Sequence, residues 1–277
     1  MSFSILILTH NEERNLAACL ASLAWCDDVV VLDSHSIDRT REIATAHGAR
    51  VFCRPFDNFG DQRNFALDTV AFQNPWVFHL DADEQFTDAL RAECETCVGA
   101  DCHSGYLAPS RLMFRGRWLK HAGCYPVYQM RLHKLGEVRF VAHGHGQREG
   151  LAQRGLGTLR EPYLHFGFSK GLEDWFAKHV RYAAQEARME LAEAGCGWRQ
   201  IVSRDAVVRR RALKRLSAQL PLRPLLRFVY LYLLRGGFLD GYPGFVYCRM
   251  LAAYEAMIVT LRQEMRQHRP AKHAKIA

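Results

Sequence analysis

The sequence predicts an α/β fold, with a mostly parallel sheet flanked by helices and a helical C-terminal extension. Short apolar runs without alternation occur at residues 3–8, 29–32 and 76–80, as in strands that are buried on both faces. Apolar residues at helical spacing fill the intervals, as at 12–24. Strands that alternate with helices in this way form a largely parallel sheet. From about residue 172 helical patterns dominate.

The predicted elements follow one another without long gaps. They are a strand at 3–8, a helix at 12–24, a strand at 29–32, a helix at 39–47 that ends before Gly48, a strand at 49–53, a helix at 61–70, a strand at 76–80 and a helix that begins at Thr87. From about 105 to 170 the pattern is less regular and rich in Gly, His, Tyr and Arg. We expect that segment to form a binding surface more than a core.

Length and composition indicate a folded globular chain. At 277 residues the chain suits one large domain or one domain with an appendage. A hydrophobic content of 49% and a charged content of 24% argue against disorder. We predict one large domain over 1–200, in two halves at 1–100 and 101–200, and a basic amphipathic helical region at 201–277. The net charge of +8 favours an anionic partner.

The N-terminus and the cysteines favour a cytoplasmic protein. The N-terminus "MSFSILILTHNEE" has no basic region and no small-residue cleavage site, so it is interpreted as a first strand rather than a signal peptide. Nine cysteines without a framework spacing favour a reducing compartment. Cys94 and Cys97 have zinc-like spacing but fall in a helical pattern, and a second well-spaced ligand pair is missing.

The basic C-terminal segment favours a membrane surface. Residues 204–235 place eight basic residues ahead of "FVYLYLL". The apolar run Phe228–Leu234 is far shorter than the ~20 residues of a spanning helix, so we interpret the segment as amphipathic and interfacial. Its bases would attract an anionic leaflet, which places the protein at the inner face of the cytoplasmic membrane. A solvated helix face that packs on the catalytic domain is the alternative.

The carboxyl ends of three predicted strands are polar, and function in such sheets lies at those ends. The ends are Thr9-His10-Asn11-Glu12, Asp33-Ser34-His35-Ser36 and Asp81-Ala82-Asp83-Glu84. Carboxylates crowded at one strand end repel one another, and a divalent cation would hold them together. Mg²⁺ and Mn²⁺ prefer oxygen ligands. The alternative is that the acids are solvated turn residues and that Thr9, Asn11 and Ser36 cap helices.

These strand ends, taken in order, resemble the inverting family 2 glycosyltransferases of the GT-A fold. The matching strings are "THNEE" at 9–13, "DSHSIDRT" at 33–40, "GDQRN" at 60–64 and "DADE" at 81–84. Further strings at 125–134, 164–169, 178–182 and 235–244 resemble the bacterial branch that builds lipopolysaccharide core, including β-glucosyltransferases. Each short string is common, whereas the ordered set is much more specific.

The resemblance implies that 1–200 is a catalytic domain, with a nucleotide-binding half at 1–100 and an acceptor half at 101–200. It implies a site for a nucleoside-diphosphate sugar, with a UDP-sugar favoured, and for Mg²⁺ or Mn²⁺. It implies that Asp83 holds the metal, that Asp81 holds the ribose, the metal or a metal-bound water, and that His165 approaches the metal or the leaving group. It assigns to the nucleotide sugar Thr9, Asn11, Glu12, Asp33, Ser36, Arg63, Asn64, Asp81 and Arg131. Asp33 is expected to accept from the uracil N–H, and Arg131 to meet the diphosphate or an acceptor phosphate.

An inverting transfer also needs a base that takes the proton of the acceptor hydroxyl. The resembling branch has a His-Glu pair at this point, whereas this chain has "HGHGQREG" at 143–150. Arg148-Glu149 therefore stands where His-Glu is expected, and Glu149 is the predicted base. His145 is the alternative, because an imidazole can do the same work near neutral pH.

We therefore expect an enzyme that transfers a hexose from a nucleoside-diphosphate sugar to a lipid-linked saccharide or a lipopolysaccharide core. A nucleotidyltransferase is a second hypothesis, but it would favour a glycine- and lysine-rich loop after the first strand, which "THNEE" does not provide. A basic nucleic-acid or membrane-binding protein is a third. The acids at three strand ends count against it, so no nucleic-acid partner is expected. The sequence does not indicate the oligomeric state.

Overall fold

The computed structural model describes residues 2–143, 146–192, 202, 209, 220 and 222–268, with the backbone alone at 142, 143, 146–149 and 151. The chain divides into two compact units, Met1–Gly171 and Leu172–Ala277. The predicted boundary between residues 200 and 201 lies outside the described residues and stays a prediction.

The first third of the chain folds as the sequence predicts. It forms β1 (Ser4–Thr9), α1 (Leu16–Ala21), β2 (Val29–Asp33), α2 (Thr40–Ala46), β3 (Arg50–Cys53), α3 (Phe59–Thr69), β4 (Trp76–Asp81), β5 (Glu84–Gln85) and α4 (Asp88–Ala100). The first four strands are all parallel, in the order β3-β2-β1-β4. Thr87 caps α4, because its Oγ1 accepts a hydrogen bond of 3.2 Å from the Leu90 N–H.

The sheet continues through the second part of this unit. The further strands are β6 (Gly105–Phe114), β7 (Arg117–Trp118), β8 (Val127–Lys134), β9 (Val138–His143), β10 (Gly146–Ala152), β11 (Leu156–Thr158) and β12 (Tyr163–His165). The full order is β3-β2-β1-β4-β8-β6-β12-β5, with β7 and β11 also paired to β6 and with β9 and β10 as a separate antiparallel pair. Strand β8 runs antiparallel to β4 and β6, so the sheet is mixed beyond β4.

The expectation of a surface-like segment at 105–170 was wrong in part. Tyr106, Leu132 and Tyr163 are buried in the main core. The strands here were missed because polar and glycine residues interrupt the apolar pattern, while neighbouring strands distant in the chain supply the apolar contacts.

The parallel strands are buried on both faces, which is why their sequences do not alternate. In β1, Ile5 and Ile7 pack into the core on one side of the sheet, together with Leu16 of α1 and Leu90 of α4. Leu6 packs on the other side, where α3 covers the sheet. This arrangement places the carboxyl ends of β1, β2 and β4 at one edge, as predicted.

The second unit is helical. It contains α5 (Leu172–Ala192), α6 (Arg223–Val229), a π-helical turn (Tyr230–Leu234), a 3₁₀ turn (Gly237–Asp240) and α7 (Gly241–Gln267). Ala183 and Ala187 of α5 pack against Ile258 of α7. Glu190 accepts from Arg223 at 2.7 Å and from Arg262 at 2.9 Å, which ties all three helices together. The predicted basic cluster at 204–215 lies outside the described residues, apart from Arg209.

One helical stretch in the described part of the chain, Gly237–Gln267, has the length and apolar composition of a membrane-crossing helix. Only 22% of its most apolar window is buried. Length and composition alone are weak evidence for crossing, because core helices of soluble proteins pass the same test. The sequence interpretation concerned the shorter run at 228–234 and did not single out this stretch.

Candidate active site

The acids of "DADE" lie in a tight turn between two strands. Strand β4 ends at Asp81, and the two-residue strand β5 begins at Glu84. The Glu84 Oε2 accepts a hydrogen bond of 2.9 Å from the Asp81 N–H and so closes the turn. Glu84 is buried, with 1% of its surface exposed. Only Asp81 and Asp83 therefore present carboxylates at the edge of the sheet.

Arg131 of β8 gathers the carboxylates of this turn. Its Nη2 donates to the Glu84 Oε1 at 2.6 Å and to the Asp81 Oδ2 at 3.1 Å. The same guanidinium donates to the Tyr163 hydroxyl at 3.1 Å and to the His79 carbonyl at 3.2 Å. Arg131 is fully enclosed, with 1% exposed. The structure thus places the guanidinium in a carboxylate network, and its predicted contact with a diphosphate stays a prediction.

Asp81 is held by a second arginine. Arg63 of α3 donates from Nη2 to the Asp81 Oδ1 at 3.1 Å, so each carboxylate oxygen of Asp81 faces a guanidinium. Burial opposes ionisation of Asp81, but Arg131 and Arg63 outweigh it and hold the pKa of Asp81 well below its usual value. Asp81 therefore stays ionised at neutral pH, between two arginines that stay protonated.

Glu84 is shifted in the opposite direction. Burial raises its pKa to about 8, since Arg131 offsets only part of the lost hydration and Asp81 adds repulsion. Carboxyl groups whose pKa values are driven apart in one cluster are typical of functional sites, although ion-pair networks of purely structural role produce the same effect.

Asp83 faces a histidine instead of an arginine. Its Oδ2 lies 3.4 Å from the His165 Nε2, and the Asp83 carbonyl accepts from the Phe166 N–H at 2.8 Å. About a third or less of each side chain is exposed, 28% for Asp83 and 33% for His165. Burial disfavours the charge on His165, but Asp83 outweighs it and raises the pKa of His165 to about 9. His165 is therefore protonated at neutral pH, and as an imidazolium it can lose that proton.

Asp83 and His165 fit a small divalent cation. They supply an oxygen and a nitrogen ligand side by side at the edge of the sheet. No cluster of three or more His, Cys, Asp or Glu side chains suited to a metal occurs among the described residues. Mg²⁺ commonly takes only one or two protein ligands and completes its shell with substrate phosphates and water, so two ligands suffice. Asp81 fits less well, because both its oxygens face guanidinium groups.

A cavity of about 160 Å³ opens beside this pair. Its lining includes Asp83, Glu84, Arg14 and Asn15, so the loop after β1 and the turn after β4 both border it. Ala18, Ala82 and Phe166 add apolar groups to the lining.

The carboxyl ends of β1 and β2 form a second cluster of polar groups. Asp33 is completely buried and accepts from the Thr9 Oγ1 at 2.9 Å, from the Ser36 Oγ at 2.5 Å and from the Ser36 N–H at 2.7 Å. These three predicted nucleotide ligands therefore lie together, and they first of all hold the two strand ends in register. Their contacts with a base or ribose stay predictions.

Asn11 and Glu12 join the loop after β1 to the loop after β2. The Asn11 N–H donates to the Ser36 Oγ at 2.8 Å, and the Glu12 N–H donates to the Thr40 Oγ1 at 2.7 Å. Glu12 also accepts from the Lys170 Nζ at 2.6 Å. Nothing in the local sequence of Lys170 indicated this ion pair, because 158 residues separate the two partners.

Asn64 anchors the strand that carries the candidate base. Its Nδ2 donates to the Phe140 carbonyl at 2.8 Å, and its Oδ1 accepts from the Phe140 N–H at 3.0 Å. Phe140 of β9 pairs with Glu149 of β10, next to a register shift between Glu149 and Leu151. The side chain of Glu149 and all of His145 lie outside the described residues, so the choice of base stays open.

Two histidines that the sequence did not single out lie close to Arg131. The Nε2 atoms of His79 and His133 are 2.5 Å apart, and the rings stack at a centroid distance of 4.7 Å. Both side chains are fully buried. Burial lowers the pKa of His133 to about 4 and lowers that of His79 well below its usual value, with further repulsion between the two rings at His79.

Comparison with known proteins identifies the family region. Residues 4–93 match the family model described as "Glycosyl transferase family 2". An uncharacterized glycosyltransferase of Rickettsia typhi is 34% identical over 117 residues, which cover 41% of this chain and 39% of the relative. The lipopolysaccharide core biosynthesis glycosyltransferase LpsC of Rhizobium meliloti is 33% identical over 96 residues, which cover 33% of this chain and 35% of LpsC. The match spans well under half of each relative.

A solved structure matches at low identity and with a low superposition score. Glucosyl-3-phosphoglycerate synthase from Mycobacterium tuberculosis, in complex with Mn²⁺, UDP and glucosyl-3-phosphoglycerate, superposes with a TM-score of 0.45 and 16% identity over 68% of this chain and 79% of that chain. A likeness at this level is not evidence for a shared substrate. The predicted family resemblance is confirmed by the family match, which contains three of the strand ends that predicted it.

Proposed function

We propose that this chain, whose residues 4–93 form a glycosyl transferase family 2 region, transfers a hexose from a nucleoside-diphosphate sugar to a membrane-attached saccharide. The single observation that carries the proposal is the Asp83–His165 pair at 3.4 Å, beside an Asp81 carboxylate that two arginines hold ionised. The expected donor is a UDP-sugar, and the expected stereochemical course is inversion.

Mg²⁺ or Mn²⁺ is the proposed cofactor, with Asp83 and His165 as its protein ligands. When bound there, the cation would neutralise charge on the departing diphosphate. His165 would bind as the neutral imidazole, because a metal ligand must be deprotonated. Asp81 would stay paired with Arg63 and Arg131 and would orient the ribose or a water molecule from the exposed side of its carboxylate.

The nucleoside would lie against the cluster of Thr9, Asp33 and Ser36. The Asp33 carboxylate is completely buried, so it could accept from a base N–H only after a local rearrangement of the segments around it. Glu12 lies on the same side of the sheet and is fixed by Lys170. The main support for this placement is the shared location of these groups at the strand ends.

Transfer would proceed by one displacement at the anomeric carbon. The acceptor hydroxyl oxygen forms the new bond while the bond from the anomeric carbon to the diphosphate oxygen breaks, and the hydroxyl proton passes to a base. Glu149 is the proposed base, with His145 as the alternative. Asn64 supports this proposal indirectly, because it binds the backbone of Phe140, the residue paired with Glu149.

The proposed acceptor is a lipid-linked saccharide such as lipopolysaccharide core. Support comes from the similarity to LpsC, which is named for lipopolysaccharide core biosynthesis, although the match covers only 35% of that protein. Such an acceptor is anchored in a membrane, so we propose that the enzyme works as a peripheral protein on the cytoplasmic face. The basic C-terminal segment suits an anionic leaflet there.

A transfer assay tests this proposal. The purified chain is incubated with Mn²⁺, lipopolysaccharide of truncated core, and UDP-glucose, UDP-galactose, UDP-N-acetylglucosamine or GDP-mannose, each labelled in the sugar. We expect labelled lipopolysaccharide from one donor, an inverted anomeric configuration by NMR, and loss of transfer with a chelator. Absence of transfer from every donor, together with absence of binding to UDP, GDP, dTDP and CDP, would contradict the proposal.

The base is identified by a matched pair of variants. Glu149→Gln and His145→Gln each remove one candidate proton acceptor and keep a polar side chain of similar size. The variant of the true base is expected to lower kcat by about 10²–10⁴ and to leave UDP binding unchanged. If both variants retain full kcat, neither residue is the base.

A further inference from the structure

We infer that the second unit docks on an anionic phospholipid bilayer through an exposed apolar surface between residues 222 and 242. The surface consists of Leu222, Leu225, Leu226, Tyr230, Leu233, Leu234, Phe238, Leu239 and Tyr242. This surface would be the membrane contact of the proposed enzyme, so the biological reason for docking rests on the proposed function. The docking itself is tested without any transfer reaction.

The exposure of these side chains is unusual for a protein surface. Each is at least 43% exposed, and Leu234 reaches 75%. Single exposed apolar residues are ordinary, whereas nine of them between residues 222 and 242 favour an interaction surface. They follow one another along α6, the π-helical turn, the 3₁₀ turn and the start of α7, so they are close in the chain as well.

The charges around the surface select an anionic partner. Between residues 222 and 254 the sequence contains four arginines and a single acid, Asp240. Asp240 is buried, with 3% exposed. Arg235 and Arg249 are exposed, and the side chain of Arg227 is 40% exposed. Every charge that this segment presents to solvent is therefore positive.

Leucine, phenylalanine and tyrosine beside exposed arginine suit the boundary between headgroups and acyl chains. Leucine and phenylalanine gain by leaving water, and tyrosine is enriched at this depth because its ring is apolar and its hydroxyl is polar. Arginine is attracted by anionic headgroups, by roughly a factor of five for each residue near the surface. A protein partner would need acidic groups of matching placement, whereas an anionic leaflet supplies negative charge everywhere.

The same unit argues for docking on the bilayer rather than crossing it. Arg249 lies near the middle of Gly237–Gln267 and is exposed. Further along α7, Glu255 pairs with Arg223 and Arg262 pairs with Glu190. A crossing helix would carry these charges into the hydrocarbon region, which is costly. Docking at the level of the headgroups leaves these charges outside the hydrocarbon region.

The test measures binding of the full chain to lipid vesicles. Co-sedimentation is carried out with vesicles of phosphatidylcholine alone and of phosphatidylcholine mixed with phosphatidylglycerol. We expect at least about tenfold stronger partitioning to the mixed vesicles, with a strong salt dependence. Hydrogen exchange on the mixed vesicles should show protection at 222–242.

A matched pair of substitutions locates the contact. Leu234→Glu adds an acid at the most exposed position of the surface, and Val180→Glu adds one at a position on α5 that is 49% exposed and outside the surface. Leu234→Glu is expected to weaken partitioning about tenfold or more, and Val180→Glu to weaken it far less. Arg235→Gln should weaken binding to the mixed vesicles alone.

Three results would overturn the inference. The first is absence of binding to the mixed vesicles. The second is an equal loss of vesicle partitioning in Leu234→Glu and Val180→Glu. The third is a wild-type chain that does not bind vesicles but forms concentration-dependent dimers, which Leu234→Glu abolishes. UDP binding with Mn²⁺ is measured on the same samples. If the chain binds UDP but not the mixed vesicles, the proposed function stands and this inference is wrong. If it binds the mixed vesicles but not UDP, this inference stands and the proposed function is wrong.

Discussion

The two acids that flank Ala82 have opposite kinds of partner. Asp81 meets two arginines, Arg63 and Arg131, each at 3.1 Å. Asp83 meets one histidine, His165, at 3.4 Å. Arginine cannot lose its proton in a protein, whereas histidine can. The counter-charge of Asp81 is therefore fixed, whereas that of Asp83 can lose its proton. This difference is the basis for proposing Asp83, and not Asp81, as the metal ligand.

The largest expected effect comes from removing the fixed counter-charge. Arg131→Met leaves Asp81 with Arg63 alone and removes the Arg131 donor from the carboxyl group of Glu84, which has almost no access to water. We expect a loss of about 3–5 kcal/mol in the free energy of unfolding, measured by urea denaturation. Arg160→Met, at an exposed position, is the control and should change it by less than about 0.5 kcal/mol. Equal stability of the two variants would contradict the structural role of Arg131.

Asp33 extends the comparison to the other strand ends. It is buried and accepts three hydrogen bonds, so it resembles Asp81 more than Asp83. Asp33→Asn replaces one acceptor oxygen by a donor, and we expect a loss of about 1–3 kcal/mol in unfolding free energy. Asp27→Asn, at an exposed position, should cost far less. If Asp33→Asn instead lowered UDP affinity with no loss of unfolding free energy, Asp33 would serve the ligand, as proposed for Asp83, and not the architecture.

The buried histidine pair gives the comparison a pH dependence. The pKa of His133 in the folded protein is about 4, below the unfolded value of 6.5, so the unfolded chain binds more protons between these values. The contribution of the neutral His133 to the free energy of unfolding is therefore fully present above pH 6.5 and is lost as the pH falls toward 4. By pH 5 the loss should be about 1–2 kcal/mol. His133→Gln, which cannot titrate, should show a shallower decline, and unchanged wild-type stability from pH 7 to 5 would contradict the neutral pair.

The parts of the site that depend on local sequence patterns were predictable. Thr9, Asp33, Asp81 and Asp83 follow apolar strands directly, and parallel strands bring their carboxyl ends to one edge. The short strings around them were also sufficient for the family resemblance, which the match over 4–93 confirms.

The parts that depend on distant pairing were not predictable. Asn64 bonds to Phe140 across 76 residues, and His79 meets His133 across 54. Hydrophobic periodicity carries no record of such partners, because it reports only which face of an element is buried. The strands β6 to β12 were missed for the same reason. Arg131 was singled out, but its burial among carboxylates follows from the antiparallel insertion of β8 beside β4.

Calorimetric binding of UDP to wild type and to Asp83→Asn, each with Mn²⁺ and each with chelator, tests the central claim most directly. The account predicts Mn²⁺-dependent binding in wild type, and a loss of about 10–100-fold or more in an Asp83→Asn variant that circular dichroism shows to be folded. Equal UDP affinity in the two proteins, or equal affinity with Mn²⁺ and with chelator, would contradict the proposal of Asp83 as the metal ligand.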